Sequence, residues 1–474
     1  MASPTGLTQD PHVEAPRAEL GPMIAVLGAG AGAVVLTGLW PGPVAIAVWT
    51  LAFALAGLRW PVAMLVIYAI LEPFQRFLVS GPEAWPRYFD EGVMLTFSVL
   101  VLGREFFRRP AAVFRDPFLW TGLGFIALGL ASARLNQVPL INAGAGMFVT
   151  LDYFAWFLAL RYLRLPGRAV KAVTFTWVLG GLVTISAALI QKLGGPTFKF
   201  GWQMMIEEHG VRRVSALFEH PNDVGFFLLL PLCIGVGWLL ANQRSWWPWL
   251  VVLMAIGGSA VAVSRSTFLA LAVVGLASLL LIDRRHWSRV LPAVVAVSLV
   301  AAIAAGPGVK ARIAKVRAEN GDARLSYLRA AVPIVLSSPA LGVGPGTFGG
   351  EVAFRFGSEV YRKYDIQFTD DWRTVDNFWV HLIVESGALG TAAFLLILVL
   401  ATLRARGQLS TETDPWRRAG LMGVPLLVGA YCALGTAANV FEANAHAGPL
   451  WMTLGMLLWA GQRSTKQPSP TSVA

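Results

Sequence analysis

Apolar runs about as long as a bilayer is thick follow one another along most of this chain. They fall near 21–39, 43–58, 61–79, 90–103, 117–133, 141–160, 170–191, 223–241, 247–263, 266–282, 289–306, 377–403, 420–438 and 445–461. A lipid-crossing helix needs about 20 apolar residues, because its backbone amides must be satisfied inside it. Composition agrees: 56% of the 474 residues are hydrophobic and only 14% are charged, against roughly a quarter charged in soluble domains. The expected fold is an all-α polytopic membrane protein with 12–14 transmembrane helices. The first runs are short or broken by Pro and Gly, which sets the lower figure.

Residues 1–20 are polar and hold Asp10, Glu14 and Glu19 without a basic start before the apolar core. They do not read as a signal peptide, so the first run is expected to be retained. Cys233 and Cys432 both lie inside apolar runs and read as packing residues rather than a disulfide framework. The net charge of +11 would suggest nucleic acid in a soluble chain. Here the basic residues sit in short loops, and no nucleic-acid motif is present.

Their placement orients the bundle. With a cytoplasmic N-terminus, the cytoplasmic side receives 20 Lys/Arg, including Arg104, Arg108, Arg109, Arg115, Arg161, Arg164, Arg168, Arg404, Arg406, Arg417 and Arg418. The short outer loops hold only Arg87, Arg134 and Arg265. That is the positive-inside bias. It puts two long loops, 192–222 and 307–376, and the tight Ser264-Arg265-Ser266 turn on one outer face. The expected organisation is transmembrane helices over 1–306, a large outer loop over 307–376, C-terminal transmembrane helices over 377–461, and a disordered cytoplasmic tail over 462–474.

The 307–376 loop carries ten Lys/Arg and eight Asp/Glu and does not read as disordered. Leu325, Leu328, Ala331, Val332, Val335 and Leu336 have helical spacing. Asp322 is a plausible N-cap, and Ser338-Pro339 ends the helix. In Gly342-Val-Gly-Pro-Gly346 three glycines permit positive φ. A loop that only caps the bundle is the plainer alternative.

Candidate chemistry gathers on the outer face. Arg213 precedes Phe218-Glu-His220-Pro-Asn222, Arg265 sits between two spans, and Arg324 and Arg329 open the loop helix. Asp376 precedes a span that contains His381. Arginine suits bidentate capture of phosphate oxygens, so Arg213, Arg265, Arg324 and Arg329 are candidate diphosphate ligands. Ionisable residues at span mouths are costly and are functional candidates, so Asp376, His381 and His220 are candidate catalytic groups. Each arginine could equally be a snorkelling or loop-capping residue, and His381 a buried, hydrogen-bonded one. Asp152 reads as a structural mid-span residue, Asp370-Asp371 as a solvated pair, and Glu442, Asn444 and His446 as a polar cluster in the last outer turn, on the same face as these candidates. No metal-binding motif, Walker loop or dinucleotide fingerprint is present, so no metal or cofactor is expected.

Four segments resemble the bacterial O-antigen ligase and polysaccharide polymerase superfamily, Wzy_C. They are Arg213-Val-Ser-Ala-Leu-Phe-Glu-His-Pro-Asn222-Asp-Val-Gly225, Ser264-Arg265-Ser-Thr-Phe-Leu, Arg324-Leu-Ser-Tyr-Leu-Arg329 with Pro339-Ala-Leu-Gly-Val-Gly-Pro-Gly-Thr-Phe348, and Asp376-Asn377 with Glu385-Ser-Gly-Ala-Leu-Gly390. The resemblance spans about 200–390. It implies a metal-independent, inverting glycosyl transfer in the bacterial inner membrane with a periplasmic loop. The donor is a polyprenyl-diphosphate-linked glycan. The acceptor hydroxyl is on a lipid A core, another lipid-linked glycan or a protein, and a chain-length regulator protein is a further candidate partner. Arg213 and Arg324 match positions expected to hold the diphosphate. Ligases carry a His directly before the Asn, where this chain has Asp376. That departure favours a polymerase-type member. A carboxylate with a tuned pKa can serve as base. His381, five residues on, lies about 140° round a helix and does not replace the missing side chain. A transporter or flippase is the alternative of another class. It would show related halves, broken midplane helices and a polar path across the whole membrane.

Overall fold

The computed structural model describes residues 43–71, 89–163, 165–194, 206–208, 211–218, 220–241, 245–281, 323–366, 375–442 and 444–460. The runs at 21–39 and 289–306, the 462–474 tail, the Asp322 cap and Asp370-Asp371 lie outside these residues. Every other apolar run carries a helix: α1 Pro43–Arg59, α2 Pro61–Leu71, α3 Phe89–Arg108, α5 Pro117–Leu135, α6 Leu140–Tyr162, α7 Gly167–Leu193, α8 Pro221–Leu240, α9 Trp247–Ala262, α10 Arg265–Leu281, α14 Phe378–Leu409, α15 Pro415–Leu434 and α16 Asn444–Leu457. Short helices α4 Pro110–Phe114, α11 Ala323–Ser337, α12 Glu351–Phe356 and α13 Glu359–Lys363 complete the described set. Five of the helices, α5 to α8 and α14, are long and apolar enough to cross a membrane. The protein is an all-α polytopic membrane protein. One addition to the expected fold is a short antiparallel ribbon, β1 Ile206–Glu208 with β2 Val211–Arg213, in the 192–222 loop.

The helices differ in how much of their surface is buried. Along α8, Phe226 to Ile234 are all buried, so this helix is the centre of the bundle. It packs between α9, α15 and α7. Gly237 of α8 lies against the α15 backbone at Ala419 and Gly423, where a Cβ would overlap it. By contrast α14 shows Leu389, Leu395, Leu396, Val399 and Leu403 to its surroundings, as a lipid-facing helix does.

Two polar layers lie at opposite ends. At one, Arg161 donates to both Asp116 carboxylate oxygens at 2.9 and 2.7 Å and lies over the Phe118 ring. Arg417 bonds Glu412 and the Leu165 and Leu457 carbonyls. The other end gathers the starts of α8, α10, α14 and α16 and carries the candidate site.

Within the 307–376 loop, α11 forms over the span expected from its apolar spacing. Its Tyr327, Ala331 and Ile334 are buried with Val343, Phe348, Val360 and Val375, against Val384 of α14. The loop thus has its own small core fixed to a spanning helix.

Candidate functional site

The turn-rich segment of the loop is built into a spanning helix. α14 breaks at Gly387, whose φ 62 and ψ −169 are non-helical. A helix break leaves amides and carbonyls without partners, and in a membrane that costs several kcal/mol per group. Here the loop supplies them. Val343 and Gly344 donate to the Val384 and Glu385 carbonyls, each at 2.9 Å, and Ala388 and Leu389 donate to the Pro339 and Ala340 carbonyls at 2.9 and 3.0 Å. Gly342 and Gly387 both have positive φ, and a Cβ on either would overlap the opposing backbone. Ser132, Asn136 and Ser338 all donate to the Gly342 carbonyl.

Just before the break, Glu385 is buried. Its carboxylate accepts from the amides of Gly346, Thr347 and Phe348 at 2.8, 2.6 and 2.7 Å. Three convergent N–H groups make a nest for an anion. One turn earlier, the His381 Nδ1 meets the Phe348 carbonyl and its Nε2 meets Glu442 at 2.9 Å. Glu442 also accepts from Thr150. His381 is 3% exposed, and both ring nitrogens face acceptor oxygens, so neither offers a lone pair to a substrate.

A second cluster lies where α8 and α10 begin. Arg213, at the end of the ribbon, donates to the Asn222 side-chain oxygen at 2.6 Å, and Ser264 donates to the same oxygen at 3.0 Å. Ser264 also bonds Thr267 at 2.7 Å. The turn that presents Ser264 holds Val263 in the left-handed region, φ 52 and ψ 46. A β-branched residue there costs about 1–3 kcal/mol and persists only where its surroundings impose it.

His220 caps α8. Its Nδ1 accepts from the Asn222 amide at 3.2 Å, and the Asp223 carboxylate accepts from the His220 amide at 3.1 Å. Asp223 also pairs with His446 at 3.0 Å. Burial holds the His220 imidazole below its ordinary value; Asp223 opposes this, Arg213 adds to it, and Asp376 opposes it. Asp376 therefore acts on the same ring as Arg213. It is exposed, immediately ahead of Asn377, which caps α14 through the Val380 amide.

The structure so brings together Arg213, His220 and Asp376, and adds Asn222, Asp223, Ser264 and His446. His381 belongs to a neighbouring buried network. Arg329 is exposed on α11. Arg265 opens α10 and Arg324 lies in the first turn of α11, but their side chains are outside the described set. No group of three or more His, Cys, Asp or Glu suited to a metal occurs among the described residues. The pairing of Glu385 with backbone amides was not visible in the sequence, where Glu385 stood only as part of a motif. Glu442 and His446 carried a weak signal, as polar residues in the last turn.

Residues 249–395 match the family model described as O-antigen ligase, Wzy_C. The match covers α9, α10, the large loop and α14 past its break, and stops short of Arg213 and His220. No curated protein matches the chain.

Proposed function

We propose that this chain, whose residues 249–395 form an O-antigen ligase-family domain, moves a glycan from a polyprenyl diphosphate to an acceptor hydroxyl and acts as a polymerase. The observation that carries this reading is the convergence of Arg213, Asn222 and Ser264 with His220 and Asp376 at the starts of α8, α10 and α14. A guanidinium and an exposed carboxylate that both act on the His220 ring, at one end of a membrane bundle, suit a diphosphate leaving group and a hydroxyl nucleophile.

Asp376 is the proposed base. The acceptor O–H gives its proton to the Asp376 carboxylate while its oxygen bonds to the anomeric carbon. The bond from that carbon to the diphosphate oxygen breaks, and the electron pair leaves with the diphosphate. Attack opposite the leaving group inverts the centre. Arg213 meets the charge that grows on the diphosphate, with Arg265, Arg324 and Arg329 as further candidate ligands. His220 is a poorer base: with Nδ1 accepting from the cap, a neutral ring carries its proton on Nε2. It is a positioning residue that holds Asn222 toward Arg213. No step needs a metal.

The orientation proposed is the inner membrane with the loop in the periplasm and both termini in the cytoplasm. The basic end of the bundle, with Arg161, Arg404 and Arg417, then faces the cytoplasm. Trp247 and Trp416 stack there, with ring centroids 5.2 Å apart, as interfacial aromatics do. The buried middle of α8 is apolar among the described residues, which favours a transferase over a transporter with a polar path through the bilayer.

The test compares Arg213→Ala, Arg324→Ala and Asp376→Ala strains for surface polysaccharide and the lipid-linked glycan pool. Loss of long chains with single repeats on the acceptor supports the polymerase. Unattached long chains would make it a ligase. Normal long chains in stably accumulated variants would remove the catalytic assignment.

A further inference from the structure

We propose, resting on the transfer reading above, that Glu385 is a positioning residue for the reaction and sets the place of Asp376 through the backbone of residues 346–349. A buried carboxylate in a membrane helix is costly unless it is fully bonded. Glu385 is bonded by three successive amides of the loop, which fixes that stretch of loop relative to α14. The same stretch leads directly to the candidate base. The Gly349 carbonyl accepts from the Val375 amide at 2.8 Å, and the Gly349 amide donates to the Tyr361 hydroxyl at 2.7 Å. Val375 is buried and is the residue before Asp376. On the other side, His381 ties the Phe348 carbonyl to Glu442, and the His381 amide bonds the Asn377 carbonyl at 3.1 Å.

Asp376 is thus held between two strands of one network. One runs from Glu385 through the 346–348 amides and Gly349 to Val375. The other runs from Phe348 through His381 to Asn377. Asp376 itself is exposed, and the backbone on both sides of it is fixed by this network, which limits where its carboxylate can stand. A reacting group displaced by about 1 Å can lose on the order of a hundredfold in rate. A purely structural Glu385 would change the amount of folded protein and leave the rate per folded molecule intact.

The test uses membranes holding the full chain, supplied with rising amounts of the lipid-linked glycan extracted from the producing strain. Glu385→Gln keeps the size of the side chain and replaces one acceptor oxygen by a donor, which cannot serve all three amides. The expected result is a kcat lower by about tenfold or more, with KM within about threefold, because geometry in the transition state is lost while binding is retained. Tyr361→Phe removes the acceptor for the Gly349 amide outside the buried nest. It is expected to show the same loss in kcat, and it answers the question by itself if Glu385→Gln does not accumulate. Wild-type kcat per folded molecule in either accumulated variant would overturn the proposal. The wild type and Asp376→Asn run alongside: no product from the wild type sinks the transfer reading itself, full activity in Asp376→Asn removes Asp376 as the base and the proposal with it, and an inactive Asp376→Asn beside wild-type Glu385→Gln and Tyr361→Phe sinks only the positioning role.

Discussion

Histidine is an unusual choice to cap a helix, where Ser, Thr, Asp and Asn lead. At His220 the choice has a consequence for pH. The cap works through a lone pair on Nδ1, so it exists only while the ring is neutral. Burial, reinforced by Arg213, keeps the ring's pKa below its ordinary value. As pH falls below about 6.5, the unfolded chain takes up a proton that the folded protein resists. Stability is therefore fully present above the ordinary histidine range and is lost as pH falls toward the folded value. The melting temperature of the detergent-purified protein is expected to drop on acidification through this window. His220→Asn, which caps without titrating, is expected to remove that part of the drop. An identical pH dependence in wild type and His220→Asn would show that another group is responsible. The same residue shows what a sequence conceals. His220 stood out as an ionisable group near Arg213, but its role as a cap depends on which nitrogen meets which amide, and that is a matter of geometry.

At the scale of elements, α14 is two half-helices that meet at Gly387 and are braced on both sides of the break by the preceding polar loop. Gly387 adopts φ 62 and ψ −169, a region that is essentially restricted to glycine. Gly387→Ala adds a Cβ that overlaps the Ala340 carbonyl and favours a continuous helix. The Val343, Gly344, Ala388 and Leu389 amides would then lose their cross-segment partners. Hydrogen exchange is the measurement: these four amides are expected to be protected in the wild type and to exchange faster in Gly387→Ala, with a stability loss of about 2–5 kcal/mol from strain and overlap. Unchanged protection would mean that the loop does not depend on the break. Apolar spacing was enough to find the helices, because burial and lipid contact both select for it. It found α11 as well, from Leu325 to Leu336. It read 377–403 as one unbroken span, because Glu385-Ser-Gly-Ala-Leu-Gly390 is apolar enough to continue a helix. The break is stabilised by partners some 45 residues earlier in the chain, and no local pattern carries such a pairing. For the same reason Glu385 passed as a motif residue, while Arg213 and Asp376 stood out as candidates because they are polar residues close before the starts of spans.

For the whole molecule, the two polar ends are built on opposite principles. The candidate-site end carries an exposed carboxylate, a partly buried arginine and a turn at Val263 whose left-handed backbone costs stability. The other end is closed. Asp116 and Arg161 are each 2% exposed in their side chains and face one another at 2.7 Å, with Tyr162 donating to the same carboxylate and the Leu458 carbonyl accepting from Arg161. These bonds tie the start of α5 to the ends of α6 and α16. A buried pair adds little over an apolar substitute, but removing one partner leaves the other charge without compensation, at about 3–5 kcal/mol. Asp116→Asn keeps the shape and removes the charge, so it is expected to lower the melting temperature strongly. Because this pair lies at the far end of the helices from Arg213 and Asp376, the transfer rate per folded molecule is expected to stay at the wild-type level below the new melting point. Thermal unfolding and turnover measured on the same preparation check both halves of this expectation. A fall in kcat without a fall in stability would mean that the closed end moves during the reaction and that the bundle does not work as a rigid frame for its site.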